Sequence, residues 1–202
     1  MAATRIEFYS TRGQYGVFSN FAKTRIASWP TAEHCFQSLK FCVIDMKRAE
    51  QIRGTKTASE AAKMGRSRQG GHRIDPRWEE VKIDLMHATL HLKFDLHPAG
   101  KQTLLGTGDA ILVEKSPKDA FWGSGKDGKG QNHLGEELMA LRTYYASGAP
   151  DVSHSSCLRC ASPGVVGRFA LFGSATCTAP VRVRKTSNKE NECHVVRGGV
   201  RV

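Results

Sequence analysis

Hydrophobic and polar residues alternate over only a few short stretches of the chain. Ile6–Tyr9 has the pattern of a short strand, and Thr24–Ser28 is predicted to be its partner. A weaker strand pattern occurs at Ile111–Val113, ahead of a glycine-rich segment that runs from 123 to 130. Strands this few and this short predict only a small sheet.

Helical periodicity covers more of the chain. Pro30 and Thr31 mark one helix start, and Thr57–Glu60 resembles a capping box that begins a second helix. Asp75 and Pro76 are predicted to be the N-cap and first residue of the longest helix. The sequence therefore predicts a mostly helical α+β fold. The apolar faces are Cys35, Phe36, Leu39, Cys42 and Val43 in the first helix, Trp78, Val81, Leu85, Ala88 and Leu92 in the longest, and Leu134, Leu138 and Leu141 in a last helix at His133–Tyr145.

The character of the sequence changes after Ala146. Beyond it Ser, Gly, Pro, Thr and Arg are scattered without a helix or strand period. A chain of 202 residues is long enough for one well-buried core. We therefore predict a compact single domain at 1–148, which carries the chemistry, and a flexible, low-complexity basic tail at 149–202.

The charge balance favours a polyanionic ligand. The chain has 30 Lys and Arg against 19 Asp and Glu, and residues 1–150 alone hold 22 against 16, a net charge of +6. Such a body suits a nucleotide or nucleic acid, although the same charge can simply keep a small domain in solution. No stretch approaches the roughly 20 apolar residues of a membrane span. We expect a cytoplasmic or nuclear protein with no membrane partner.

The spacing of cysteine and histidine does not predict a metal site. Cys35 and Cys42 are interpreted as small buried apolar residues inside a helix, in a reducing compartment. In the tail only Cys157 and Cys160 have a paired spacing, whereas a structural zinc site needs four ligands. We therefore expect neither a metal nor another cofactor.

A first candidate site lies on the helix after Pro30. At 100° per residue, Glu33, Gln37 and Lys40 share one side of that helix. Such a trio is most often a solvated face. Here Phe36 and Phe41 flank the row, an arrangement that favours a pocket wall.

A second candidate is Asp119, which precedes the aromatic pair Phe121 and Trp122 in a loop. Partial desolvation beside these rings can adjust a carboxylate for proton transfer. A turn aspartate that accepts hydrogen bonds from its own backbone is an equally good interpretation from the sequence alone.

The third candidate is the glycine-rich segment Gly123–Asn132. It contains the GxGxxG pattern, but no strong strand precedes it and no acidic residue follows about 20 positions on, as a dinucleotide site requires. Free amides at the start of the next helix, with Lys126 and Lys129, instead predict a phosphate cradle. The alternative is a flexible surface loop.

Several short blocks of sequence follow one another between about Ile6 and Tyr145. They are Phe8–Ser10, Gly16–Phe21, Trp29–Gln37, Lys40–Phe41, Ala62–Arg66, Trp78, Asp119–Gly123 and Gly128–Gly135. In this order the blocks together resemble the NADAR (YbiA-like) superfamily. The departures are Cys35 in place of a common aromatic, Ser124 in the glycine segment, and the tail after about Pro150.

The resemblance implies a compact, mainly helical α+β fold and a set of site residues. The family's catalytic carboxylates correspond to Glu33 and Asp119, its aromatic to Trp78 and its helix lysine to Lys40. We thus predict that Glu33, Lys40 and Asp119 are catalytic. The predicted substrate-binding residues are Asn20, Gln37, Trp78, Trp122, Gly123, Gly125, Gly128, Lys129, Gly130 and Asn132.

The resemblance also implies hydrolysis of a ribose–nitrogen bond. We expect removal of ADP-ribose from guanine in nucleic acid, because the basic body suits that substrate. The alternatives are an N-glycosidase of phosphoribosyl-aminopyrimidine intermediates of riboflavin synthesis and a non-catalytic ADP-ribose-binding module. In either enzyme a carboxylate can stabilise an oxocarbenium-like centre, or Lys40 can capture C1 as a Schiff base.

Overall fold

A computed structural model of the protein describes residues 4–67 and 69–148, and the prediction of a flexible tail at 149–202 lies outside these residues. The described chain is mostly helical with one small sheet, which confirms the predicted fold class. The strands are β1 (Arg5–Phe8) and β2 (Ile111–Glu114), and the helices are α1 (Ala32–Leu39), α2 (Met46–Arg53), α3 (Ala58–Arg66), α4 (Trp78–Asp95), α5 (Pro98–Leu105) and α6 (His133–Ala146).

The sheet joins two segments that lie far apart in the sequence. β1 and β2 are parallel, with Arg5 opposite Ile111 at one end and Phe8 opposite Glu114 at the other. The carboxyl ends of both strands therefore meet at the same edge, where α/β folds commonly carry their sites.

The prediction that Thr24–Ser28 pairs with β1 is wrong. Ile26 and Trp29 form an isolated antiparallel bridge, and Ala27 between them has a φ of 48°. This left-handed residue turns the chain back within four positions. The segment is therefore too short and too bent to extend along β1.

Local capping signals place several helices correctly. The Thr31 side chain accepts a hydrogen bond from the His34 amide at the start of α1. The predicted capping box of Thr57 and Glu60 is present at α3. α4 begins two residues later than predicted, because Asp75 accepts from the Arg77 amide in a turn ahead of the helix.

α1 ends at Leu39, before the end of its predicted apolar face at Val43. Cys42 therefore lies in the following turn, where it is still buried, whereas Val43 is exposed rather than part of the core. Cys35 and Cys42 are both buried, which agrees with the interpretation of small core residues.

A single apolar core surrounds α1, whose eight residues are all buried. α1 contacts α2, α3 and α4, while α6 packs on β2 and α4. None of the helices in the described ranges is long and apolar enough to cross a membrane. The largest fully buried apolar residues of the core are Trp29, Phe18, Phe41, Phe94, Ile26, Leu39, Ile52, Leu85, Met86 and Leu90.

Candidate active site

The polar row of α1 is buried, as expected for a pocket wall. Glu33 and Gln37 are exposed by only 7% and 5%. Gln37 donates from Nε2 to Oε1 of Glu33 at 2.8 Å, and the Glu33 amide donates to the Asn20 carbonyl at 3.0 Å. Gln37 also packs against Gly65 of α3, where a Cβ would overlap its side chain. Helix α1, the Asn20 turn and α3 together fix this carboxylate.

The electrostatic surroundings of Glu33 combine burial with charges of both signs. Burial raises the pKa of Glu33, and the negative charge of Asp119 raises it further. The hydrogen bond from Gln37 and the positive charges of Lys40 and Arg66 act on this pKa in the opposite direction. A carboxyl group in such surroundings can hold or accept a proton near neutral pH.

Aromatic rings pack beside this carboxylate. Phe36 contacts Trp78 at a centroid distance of 5.1 Å and Trp122 at 5.3 Å. Lys40 follows the last residue of α1 and lies over the Trp78 ring, with Nζ 5.4 Å from the ring centre. Trp78 is only 5% exposed and therefore belongs to the core, whereas Trp122 is half-buried.

Asp119 adopts the turn conformation that was the alternative interpretation of this residue. Its Oδ1 accepts from the amides of Phe121 and Trp122 at 3.0 and 2.8 Å. The side chain is partly buried, and its charge acts on Glu33. The turn and the catalytic interpretations are therefore compatible, because the turn holds the carboxylate close to α1.

Glu114, the last residue of β2, is a third carboxylate that was not predicted from the sequence. Burial raises its pKa to about 7, and the charges of Asp119 and Glu33 act in the same direction. Its position at the carboxyl end of a parallel strand is the signal that could have identified it. We call Glu33, Glu114 and Asp119 the carboxylate cluster.

The glycine segment folds differently from a phosphate-binding turn. Gly130 donates its amide to the Ser124 carbonyl at 2.7 Å, and Asn132 donates to Gly123 at 3.1 Å. The next two amides also donate to carbonyls of the 121–122 backbone. The expected free amides at the start of α6 are therefore already occupied. The close approach of the two backbones explains why a Cβ at Gly123 or Gly130 would clash.

The tip of the glycine segment remains open. Among the described residues, no acceptor is present for the amides of Lys126, Asp127 and Gly128. Gly128 has a φ of +76° and no atom near its Cβ position, and Lys126 and Lys129 are exposed beside it. Any phosphate contact in this segment would fall at this tip, and the predicted role of these residues stays a prediction.

Asn132 has a structural role that limits its predicted contact with substrate. Its Oδ1 accepts from the Glu114 amide at 2.9 Å, and its Nδ2 donates to the Leu112 carbonyl at 2.9 Å. Both polar atoms of this carboxamide therefore hold β2. By contrast, Oδ1 of the buried Asn20 and Oε1 of Gln37 have no partner among the described residues.

The arrangement as a whole defines a class of enzyme. Closely spaced carboxylates can stabilise a positively charged carbon and move protons to and from the groups attached to it. The flanking rings exclude water, and the half-buried Trp122 offers a surface for a planar base. Such a site is suited to the cleavage of a glycosyl bond.

Comparison with known proteins supports this class. The NADAR domain family model matches residues 7–144. N-glycosidase YbiA of Escherichia coli is 45% identical over 150 residues, which are 72% of this chain and 91% of that protein. The NMR structure of E. coli YbiA superposes with a TM-score of 0.67 at 42% identity and covers 77% of this chain and 93% of that one. The riboflavin biosynthesis protein PYRR of Zea mays is 40% identical over 153 residues, 68% of this chain but 25% of that protein.

The chain belongs to the NADAR family. It is an N-glycosidase, a hydrolase of N-glycosyl compounds. The alternative of a non-catalytic binding module gains no support from these relatives.

Proposed function

We propose that this N-glycosidase removes ADP-ribose from ADP-ribosylated guanine in nucleic acid. The observation that carries the proposal is the carboxylate cluster, which lies against aromatic rings and within the electrostatic reach of Lys40 and Arg66. Cleavage of a ribose C1–N bond develops positive charge at C1, which the carboxylates stabilise. Cations around this negative centre suit the diphosphate that links the two riboses of ADP-ribose.

The charge of the body favours a nucleic-acid substrate over a small one. Residues 1–150 carry 22 Lys and Arg against 16 Asp and Glu although the cluster itself is acidic. The excess positive charge must therefore lie outside the cluster. Lys118, Lys126 and Lys129 are exposed and lie close to Asp119 in the sequence. Exposed cations outside an acidic centre suit a substrate that carries several phosphates.

A phosphoribosyl-aminopyrimidine intermediate of riboflavin synthesis is the second candidate substrate. The name of the Zea mays relative, which is 40% identical, favours it. This substrate presents the same chemistry, a ribose C1–N bond beside a phosphate, but lacks the second phosphate and the nucleic acid. The two candidates therefore differ in how strongly turnover depends on cations outside the carboxylate cluster.

The two substrates can be compared directly. The protein is incubated with an oligonucleotide that carries ADP-ribosylated guanine and, separately, with the phosphoribosyl-aminopyrimidine, and products are measured by liquid chromatography and mass spectrometry. We expect free ADP-ribose and intact guanine from the oligonucleotide, at a kcat/KM above that for the pyrimidine. Glu33→Gln should reduce turnover by roughly 10²-fold or more. Glu50→Gln, which alters an ion pair with Arg53 on α2, is the matched control. Turnover of the pyrimidine alone would overturn the proposal.

A further inference from the structure

Glu114 stands apart from the other two carboxylates in how it is held. Glu33 accepts from Gln37, and Asp119 accepts from two backbone amides. The Glu114 carboxylate has no hydrogen-bond or ion-pair partner among the residues that the structure describes. Its neighbour Lys115 is paired instead with Glu7 of β1, Nζ to Oε2 at 2.6 Å.

The backbone of Glu114, in contrast, is firmly fixed. Its amide donates to Oδ1 of Asn132, and its carbonyl accepts from the amides of Ser116 and Ser124 at 2.9 and 2.8 Å. Gly123 packs directly on the same carbonyl. The strand end is thus clamped by the loop and by α6, while the side chain is half-buried and unpaired. Such a carboxyl is well placed but carries no structural hydrogen bond that proton transfer would break.

We propose that Glu114 is a further catalytic residue, the acid that protonates the departing nitrogen in the N-glycosidase reaction. The inference rests on the proposed function, because it needs a nitrogen that leaves C1 of a ribose. The charged groups that act on Glu114 are Asp119 from the loop and Glu33 from α1, and both are negative. Burial and these two charges favour the protonated form of Glu114, which is the form an acid needs.

The step needs no reactant other than the substrate and water. The C1–N bond breaks with its electron pair passing to nitrogen, and the Glu114 carboxyl proton passes to that nitrogen. Water adds its oxygen to C1 and gives one proton to the Asp119 carboxylate, and solvent then carries that proton from Asp119 to Glu114. The products are the free sugar and the neutral base, which keeps the proton from Glu114 on its nitrogen, and one water is consumed.

The test measures kcat and kcat/KM against pH for the oligonucleotide and the pyrimidine, with the full chain. Wild type should lose activity as pH rises past about 7, when Glu114 ionises. Glu114→Gln should lower kcat by roughly 10²-fold and remove this alkaline limb. Glu114→Asp should keep an alkaline limb at a reduced rate. Glu7→Gln, on the neighbouring strand, is the control and should match wild type in both respects.

The outcomes separate this proposal from the proposed function. Wild type that cleaves only the pyrimidine, with the Glu114 effects intact, overturns the nucleic-acid substrate alone. Wild type that cleaves the oligonucleotide, with Glu114→Gln unchanged in rate or still showing the alkaline limb, overturns the role of Glu114 alone. An inactive wild type overturns both. If Glu114→Gln loses its circular dichroism spectrum, Glu114→Ala with added formate decides the matter, because an external acid should restore turnover and a failure to do so counts against the proposal.

Discussion

Lys93 on α4 is a buried cation whose side chain has no exposed surface. Its Nζ donates to the Ser19 carbonyl at 2.9 Å. The carbonyl of the next residue, Asn20, accepts a hydrogen bond from the Glu33 amide. Burial lowers the pKa of Lys93 from 10.5 to about 7. A lysine far from solvent thus helps to fix the turn that holds α1, at an electrostatic cost to the folded state.

The lowered pKa of Lys93 predicts a pH-dependent stability. Between about pH 7 and pH 10.5 the unfolded chain keeps this proton and the folded chain does not, so the free energy of unfolding rises with pH in this window. Lys93→Met should remove that rise. Its stability relative to wild type should be greatest below pH 7 and decrease by about 1.4 kcal/mol per pH unit through the window.

Urea unfolding of both proteins at several pH values measures this difference. Lys47→Met, at an exposed position of α2, is the control and should show no comparable trend. A constant difference between Lys93→Met and wild type across the whole pH range would contradict the prediction.

Lys40 distinguishes two routes of attack on C1. If its amine adds to ring-opened C1, a Schiff base forms, and borohydride added during turnover should leave a stable mass increase on the peptide that contains Lys40. Lys40→Ala should then lower turnover by roughly 10²-fold. Lys63→Ala, at an exposed position of α3, serves as the control. Full activity in Lys40→Ala would instead leave direct attack by water, a route that still needs a proton on the departing nitrogen.

At the scale of elements, substitutions at the tip of the glycine segment test the phosphate hypothesis better than substitutions elsewhere in the segment. Replacing both Lys126 and Lys129 by Ala should weaken ADP-ribose binding about tenfold, which corresponds to about 1.4 kcal/mol of binding free energy. Part of the affinity should remain, because the open amides at the tip are unchanged. Thermal stability without ligand should not change, because both side chains are exposed. Calorimetric titration measures the affinity, and the exposed pair Lys23 and Lys47 provides the control substitutions. Equal affinities in the two double variants would indicate a surface loop.

The elements also show how far the sequence could predict this fold. Helix starts follow from contacts within a few residues, so the Thr31 cap and the capping box at Thr57 were visible in the sequence. α2 and α5 were missed although Asp45 and Pro98 mark their starts, because each helix has only eight residues and a short periodic pattern. The pairing of β1 with β2 joins segments about a hundred residues apart, and strand periodicity does not specify the partner.

The candidate site was only partly predictable, because the sequence reveals groupings of nearby residues but not of distant ones. Glu33, Gln37 and Lys40 share a helix face, so their spacing was sufficient to group them. Glu114 comes within the electrostatic influence of Glu33 through the sheet, and no local spacing reveals this proximity. The occupied amides of the glycine segment could not be predicted either, since their acceptors belong to a backbone that folds over them.

At the scale of the whole molecule, the family match ends at residue 144 and the site lies within the described part of the chain. We therefore expect a protein that ends at Gly148 to fold and to turn over the small phosphoribosyl-aminopyrimidine at the wild-type rate, if that compound is a substrate. The remaining residues contribute 8 Lys and Arg against 3 Asp and Glu, so their removal should weaken binding of an oligonucleotide and reduce the salt dependence of its affinity.

Fluorescence anisotropy at several salt concentrations measures both quantities, and circular dichroism checks the fold. A truncated protein that folds but loses turnover of every substrate would show that residues after 148 contribute to catalysis. An unchanged affinity and salt slope would show instead that the body alone binds the nucleic acid.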